Sequence, residues 1–405
     1  MRPLLLALAS LALLAAPAAA QGVLVVRADT LYTMAGPPVV DAAVVVRDGR
    51  IAEVGPAARV RVPAGARELR ASVVTPGLVD VRGTVGLSGL LNQAQDQDAT
   101  DPGAPVSPSL RALDAYNARD ELVDWLLTHG VTTVQTGHAP GPLAAGQTVV
   151  VKTAYESADE AVVDSTAMLA MTLGTGATGR SGGPGTRARA VADLRSALYA
   201  AVDYDRKRRA ADPSERPARD LDKETLADVA AGRLPALLTA HRAADILTVL
   251  RLAREFPRMR LVLDGAAEAY LVLDEIREAG VPVALHPTMI RAGGETENAS
   301  FETARRLHEA GVPFAIQSGY EAYVPKTRVV LFEAAMAVPY GLPREAALAA
   351  VTRQPAEILG IDGRVGTVEV GKDADLALFD GDPLEMTTHV CGVVVDGRVA
   401  SETCR

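Results

Sequence analysis

The chain has 405 residues, of which 48% are apolar and only 4% aromatic, and it carries a formal charge of −9. Such a length holds one large domain or two ordinary ones, on a core that must be mostly Ala, Val and Leu. The acidic balance speaks against a nucleic-acid partner, and two cysteines rule out a cysteine zinc site or a C-x-x-C redox pair.

Residues 1–20 read as an export signal. Arg2 gives the positive start, Leu4 to Ala16 the apolar run, and Ala18-Ala19-Ala20 the small-residue cleavage site. Cleavage after Ala20 leaves Gln21 first, and a periplasmic protein with no membrane span after cleavage is the expectation. The next segments, "VLVVRADTLYTM" and "AAVVVRDGRIAEVG", are β-branched runs, and Asp48-Gly49 is a two-residue hairpin turn. "VVTPGLVDV" is a further strand, and the acidic "NQAQDQDATD" after it reads as a solvated loop over the mouth of the fold rather than a calcium site.

From there strands alternate with helices. Helical Pro108 to His129 leads to "GVTTVQTG", and "QTVVVKT" and the region Ala161 to Leu173 supply further strands. Thr172 to Gly185 is a Gly-rich loop without the Gly-Lys-Ser/Thr of a phosphate loop. The basic run Arg206 to Arg209 lies in a helix also rich in Asp, as a solvated face does. "LPALLTAH" precedes helix Ala243 to Phe256, "MRLVLDG" precedes Ala267 to Ala279, "GVPVALHP" precedes Ser300 to Ala310, and "GVPFAIQSG" precedes Lys326 to Tyr340. The strands are short apolar runs suited to burial on both faces, and the helices carry apolar stripes such as Ile246, Leu247, Leu250 and Ala253. About eight strands in β/α alternation predict an α/β fold, a (β/α)8 TIM barrel, with a doubly wound sheet as the alternative.

The C-terminus returns to short β runs, "VGTVEVGKDADLALFD" and "VCGVVVDGRVAS", with a hairpin at Asp396-Gly397. Both ends together predict a small β-sandwich of residues 21–74 and 362–405 around a barrel of residues 75–361. The hairpin register sets Cys391 opposite residue 402, so Cys404 falls near it and a disulfide is expected in an oxidising compartment.

The segments "VVTPGLVDVRGTVGLSG", "HGVTTVQTGHAPGPLAAGQTVVVKT", "LPALLTAHRAADILTVLRLAREF" and "TRQPAEILGIDGRVGTVEVGKDADLALFD" together resemble the amidohydrolase superfamily, in its imidazolonepropionase-like branch. The resemblance covers nearly the whole chain after the signal. It implies a (β/α)8 barrel with a β-sandwich of both ends, and hydrolysis of C–N bonds by zinc or another divalent metal. It also implies metal ligands that this chain lacks. Asp80 is followed by Arg82 and Thr84 where the family has Asp-x-His-x-His. The ligand after the fifth strand falls on Thr239, that after the sixth near Gly265, the aspartate after the eighth near Gly319, and the lysine on Ala170. Arginine has no lone pair to offer a metal. No cofactor is therefore expected.

Of six histidines, His138, His241 and His286 follow strands and would lie with Asp264 at the C-terminal face, where such barrels build their sites. They form the alternative metal site. A metal-free pocket would draw on Arg82, Thr84, Lys152, Thr239 and Gln317, with Arg82 either binding an anion or filling the vacated centre against Asp80 or Asp264. Two functions stay open. One is an inactive family member that binds a small molecule or peptide, or pairs with an active relative or with itself. The other is a C–N hydrolase with the site rebuilt on His138, His241, Asp264 and His286.

Overall fold

The computed structural model describes residues 22–404, apart from Asn92, 180–181, Ala211 and 322–326; the expected export signal lies outside these. Four strands open the described chain: β1 (Leu24–Leu31), β2 (Val39–Arg47), β3 (Arg50–Pro56) and β4 (Arg67–Pro76). Then come β5 (Leu78–Gly83), β6 (Val131–Thr136), β7 (Ala144–Gln147), β8 (Val149–Lys152), β9 (Val162–Asp164) and β10 (Leu169–Thr172). They are followed by β11 (Ala236–Ala240), β12 (Leu261–Gly265), β13 (Val283–Leu285) and β14 (Phe314–Ile316), and the chain ends in β15 (Leu376–Phe379), β16 (Val390–Val395) and β17 (Arg398–Ser401).

Both chain ends share one seven-stranded sheet, in the order β17-β16-β15-β4-β1-β2-β3. Its two tight hairpins turn at Asp48-Gly49 (φ 50° and 79°) and Asp396-Gly397 (φ 46° and 73°). Positive φ at both central residues is the turn geometry that matches strand twist, and Asp-Gly adopts it cheaply. A bulge between Val393 and Val394 shifts the last hairpin by one residue and brings position 404 towards 391. Cys391 and Cys404 are joined by a disulfide.

The middle of the chain forms a six-stranded sheet, β14-β13-β12-β11-β10-β7, and a four-stranded one, β5-β6-β8-β9. Strands β10 to β14 are mutually parallel, as are β5 and β6. The expectation of parallel strands fails at one place. "QTVVVKT" lies in β7 and β8, which follow each other through Thr148 and run antiparallel, β7 against β10 and β8 against β6. This run bridges the two sheets, and at their other edges Gly319 donates to the Arg82 carbonyl at 3.2 Å.

Several helices are shorter than their apolar patterns suggest. Glu121–Thr128, Leu273–Ala279, Thr303–Glu309 and Val330–Ala337 are helical where longer stretches were expected. The first begins at Asp120, whose side chain caps the Leu122 amide. The acidic segment before it places Asp96 in a short 3-10 turn. The basic run Arg206 to Arg209 ends helix Arg187–Arg208, and its side chains pair with Asp203 and Asp205 one turn back. Among the described residues no helix is long and apolar enough to cross a membrane.

The strands sort their side chains by alternation. Ala236, Leu238, Leu261, Leu263, Val283, Leu285, Phe314 and Ile316 pack in the same cluster as the surrounding helices. The residues between them, Leu237, Val262, Ala284 and Ala315, join Val79, Val81 and Met168 in a separate cluster with Ala356 and Leu359 of helix Arg353–Leu359. The inner face thus has an apolar floor. Two residues further along each strand, the same face becomes polar.

Candidate functional site

Thr239, Asp264, His286 and Gln317 are the next inward positions after Leu237, Val262, Ala284 and Ala315. With Arg82, Thr84 and His241 they line a cavity of about 270 Å³ at the C-terminal ends of the parallel strands. Asp264 is its centre and is buried. Thr239 Oγ1 donates to Asp264 Oδ2 at 2.5 Å, and Gln317 Nε2 donates to Asp264 Oδ1 at 2.7 Å and to the Ala284 carbonyl at 2.8 Å.

Arg82 is 3% exposed. Its Nε lies 3.9 Å from Asp264 Oδ2, Nη2 donates to the His138 carbonyl, and Nη1 donates to the Gly83 carbonyl at 3.4 Å. Burial pulls its pKa down, and Asp264 and Asp80 offset only part of that. Asp80 Oδ1 accepts the backbone amides of Arg82 and Ser318 at 3.2 and 3.1 Å. Burial dominates there and pushes the Asp80 carboxyl up to about 6. Arg82 is therefore satisfied by the protein around it.

The two cavity histidines are neutral by environment. His286 Nδ1 lies 2.6 Å from the Pro287 carbonyl and must carry the proton, which leaves Nε2 with a lone pair. Burial pulls its pKa down to about 4. Burial also lowers His241, against Asp264 and Glu295. A Cβ on Gly265 would stand 2.5 Å from His241 Cε1, so the glycine is what lets this ring lie where it does. Gly319 likewise has φ 73°, and a Cβ there would meet Pro287 at 3.0 Å.

Two expected members lie elsewhere. His138 falls on the opposite parity from Gln135, so its ring lines a different pocket with Asp98, Asp101 and Arg111. Lys152 is not in the cavity because its strand runs antiparallel; the register sets it beside Thr133, far down β6. There it binds Asp373, Asp375 and Asp396 at 3.1, 2.7 and 2.9 Å, joining β8 to the seven-stranded sheet. Gln135, in contrast, was missed. It is fully buried, and both of its side-chain polar atoms lack partners, as do Thr84 Oγ1, Asp80 Oδ2, His241 Nδ1 and His286 Nε2. The alternation in "VTTVQT" carries that signal, since it sets Gln135 on the inward face.

These donors do not fit the metal implied by the resemblance. Zinc takes three or more protein ligands. Asp264 has both oxygens engaged and a guanidinium beside it. Among the described residues no group of three or more His, Cys, Asp or Glu side chains is placed to hold one ion. The site on His138, His241, Asp264 and His286 is thus not assembled.

The amidohydrolase family model matches residues 272–401. The chain is 29% identical over 388 residues to an imidazolonepropionase of Maricaulis maris, covering 88% of this chain and 92% of that one. It superposes on the crystal structure of an amidohydrolase from Thermotoga maritima with a TM-score of 0.85 at 28% identity, over 93% of this chain and 99% of that one. It is also 25% identical to the amidohydrolase tasK of Hapsidospora irregularis over 80% of its own length, but spans only 36% of that protein.

Proposed function

Since the chain belongs to the amidohydrolase superfamily, in its imidazolonepropionase-like branch, yet offers guanidinium, hydroxyl and glycine where the family's ligands are expected, we propose that it is a metal-independent member that binds a small molecule instead of hydrolysing one. The observation that carries this is Asp264, whose two oxygens are held by Thr239 and Gln317 and faced by Arg82. The rebuilt-hydrolase reading loses support because His138 faces away.

The architecture in this proposal is a (β/α)8 barrel whose third strand is reversed. The β7–β8 bridge on one side and the Gly319–Arg82 hydrogen bond on the other support closure. A β-sandwich of residues 21–74 and 362–405 would flank it, supported by the sheet that both ends share. The signal-like residues 1–20 and the Cys391–Cys404 bond support export to an oxidising compartment. A role as subunit to an active relative or to itself belongs to the same reading.

Metal analysis of protein purified with zinc and manganese supplied tests it. The expected result is far less than one ion per chain and no hydrolysis of a dipeptide and cyclic-amide panel. One ion per chain that disappears in His241→Ala, with hydrolysis, overturns the proposal.

A further inference from the structure

We infer that the cavity takes an uncharged ligand with an apolar body and a hydrogen-bond donor, received by His286 Nε2. This inference rests on the metal-independent reading of the same site. Its basis is the state of each polar group on the wall. His286 is fixed as an acceptor at Nε2 by the bond its Nδ1 makes to Pro287, and that nitrogen is buried without a partner. Thr84 Oγ1 and His241 Nδ1 are also buried and unpartnered. Buried polar atoms are normally satisfied, so these mark where a ligand or ordered water completes the site.

The charged groups that line the cavity, in contrast, already have partners. Arg82 faces Asp264 and gives hydrogen bonds to two carbonyls. Asp264 is taken by Thr239 and Gln317. Glu321, on the rim, receives Arg328 Nη2 at 2.6 Å and Nε at 2.9 Å. An anion entering here would find a guanidinium already held between carboxylate and carbonyls. A cation would find a carboxylate already engaged by two donors and faced by a guanidinium. Either would lose hydration without a counter-charge. Pro140, Pro287, Ile290 and Tyr320 supply apolar wall for the ligand's body.

Four probes of nearly equal shape separate the cases: benzamide, benzoate, benzylammonium and acetophenone. Binding is read by ligand-observed NMR titration at neutral pH, with metal content measured on the same sample. Benzamide is expected to bind saturably, with the two ions and the donor-free ketone at least about tenfold weaker. His286→Phe keeps the ring and is expected to abolish the preference for benzamide over acetophenone, whereas His286→Gln, which retains an acceptor, preserves it. Equal or tighter binding of either ion, absence of saturable benzamide binding, or an unchanged preference in His286→Phe overturns the inference. Bound stoichiometric metal would instead overturn the reading beneath it, so the two failures are distinct.

Discussion

Gly265 holds a φ of 80° at the end of β12 and leaves the space that His241 Cε1 occupies. Gly265→Ala both strains the backbone and drives a methyl group into the ring. The expected cost is ~1–3 kcal/mol, read from urea unfolding, with His241 displaced from the cavity. His286 and Asp80 make a second prediction at this scale. The unfolded chain protonates a histidine below 6.5, but His286 resists until about 4, so stability is lost as pH falls through that window. Asp80 holds its proton to about 6 against 3.8 when exposed, so stability is lost as pH rises from 3.8 to 6. The slopes oppose each other. Relative to the parent, Asp80→Asn should lose stability on acidification from pH 6 to pH 4, and His286→Gln should gain it, each by roughly 2 kcal/mol in urea midpoint series. His241 faces His286, and Arg82 and Ser318 face Asp80, so variants at those positions are poor controls.

At the scale of elements, strand direction decides which end of a strand a residue reports to. Arg82, Thr239, Asp264, His286 and Gln317 were legible as cavity residues because each ends or follows a parallel strand. Lys152 was not legible, because an apolar run such as "QTVVVKT" has the same pattern in either direction. Its direction is set by pairing with β6 and β10, which the run's own pattern does not specify. His138 failed for a different reason: three residues after inward-facing Gln135 it has the opposite parity, and its ring lines the neighbouring pocket. The lysine has a structural consequence. With 2% of its side chain exposed and three carboxylates around it, Lys152→Met leaves Asp375 buried and uncompensated. The expected cost is about 3–5 kcal/mol in chemical denaturation.

At the scale of the whole molecule, the order of strands was largely readable and the state of the chemistry was not. "TRQPAEILGI" and "GKDADLALFD" point to the family, and the two Asp-Gly turns point to the hairpins. Whether the cavity stays open depends on how Arg82 folds back onto the His138 and Gly83 carbonyls, and no local pattern encodes that. The last hairpin offers a test of how the two ends are held. Reduction of Cys391–Cys404, or Cys391→Ser, should lower stability by about 2–4 kcal/mol, seen as a lower Tm, with loss of β17 from the sheet edge.

The lysine clamp also imposes an order in time. Its carboxylates lie 221, 223 and 244 residues after Lys152. At ~5–20 residues per second a ribosome delivers them roughly 10–50 s after the lysine. Until then the strand that bridges the two inner sheets holds an ammonium group with nothing to receive it, and that strand cannot be buried for good. The two inner sheets are therefore expected to stay unlocked until Asp373, Asp375 and Asp396 are made. A nascent chain truncated before Asp373 should be protease-sensitive throughout its middle, whereas a chain that runs past Asp396 should be resistant.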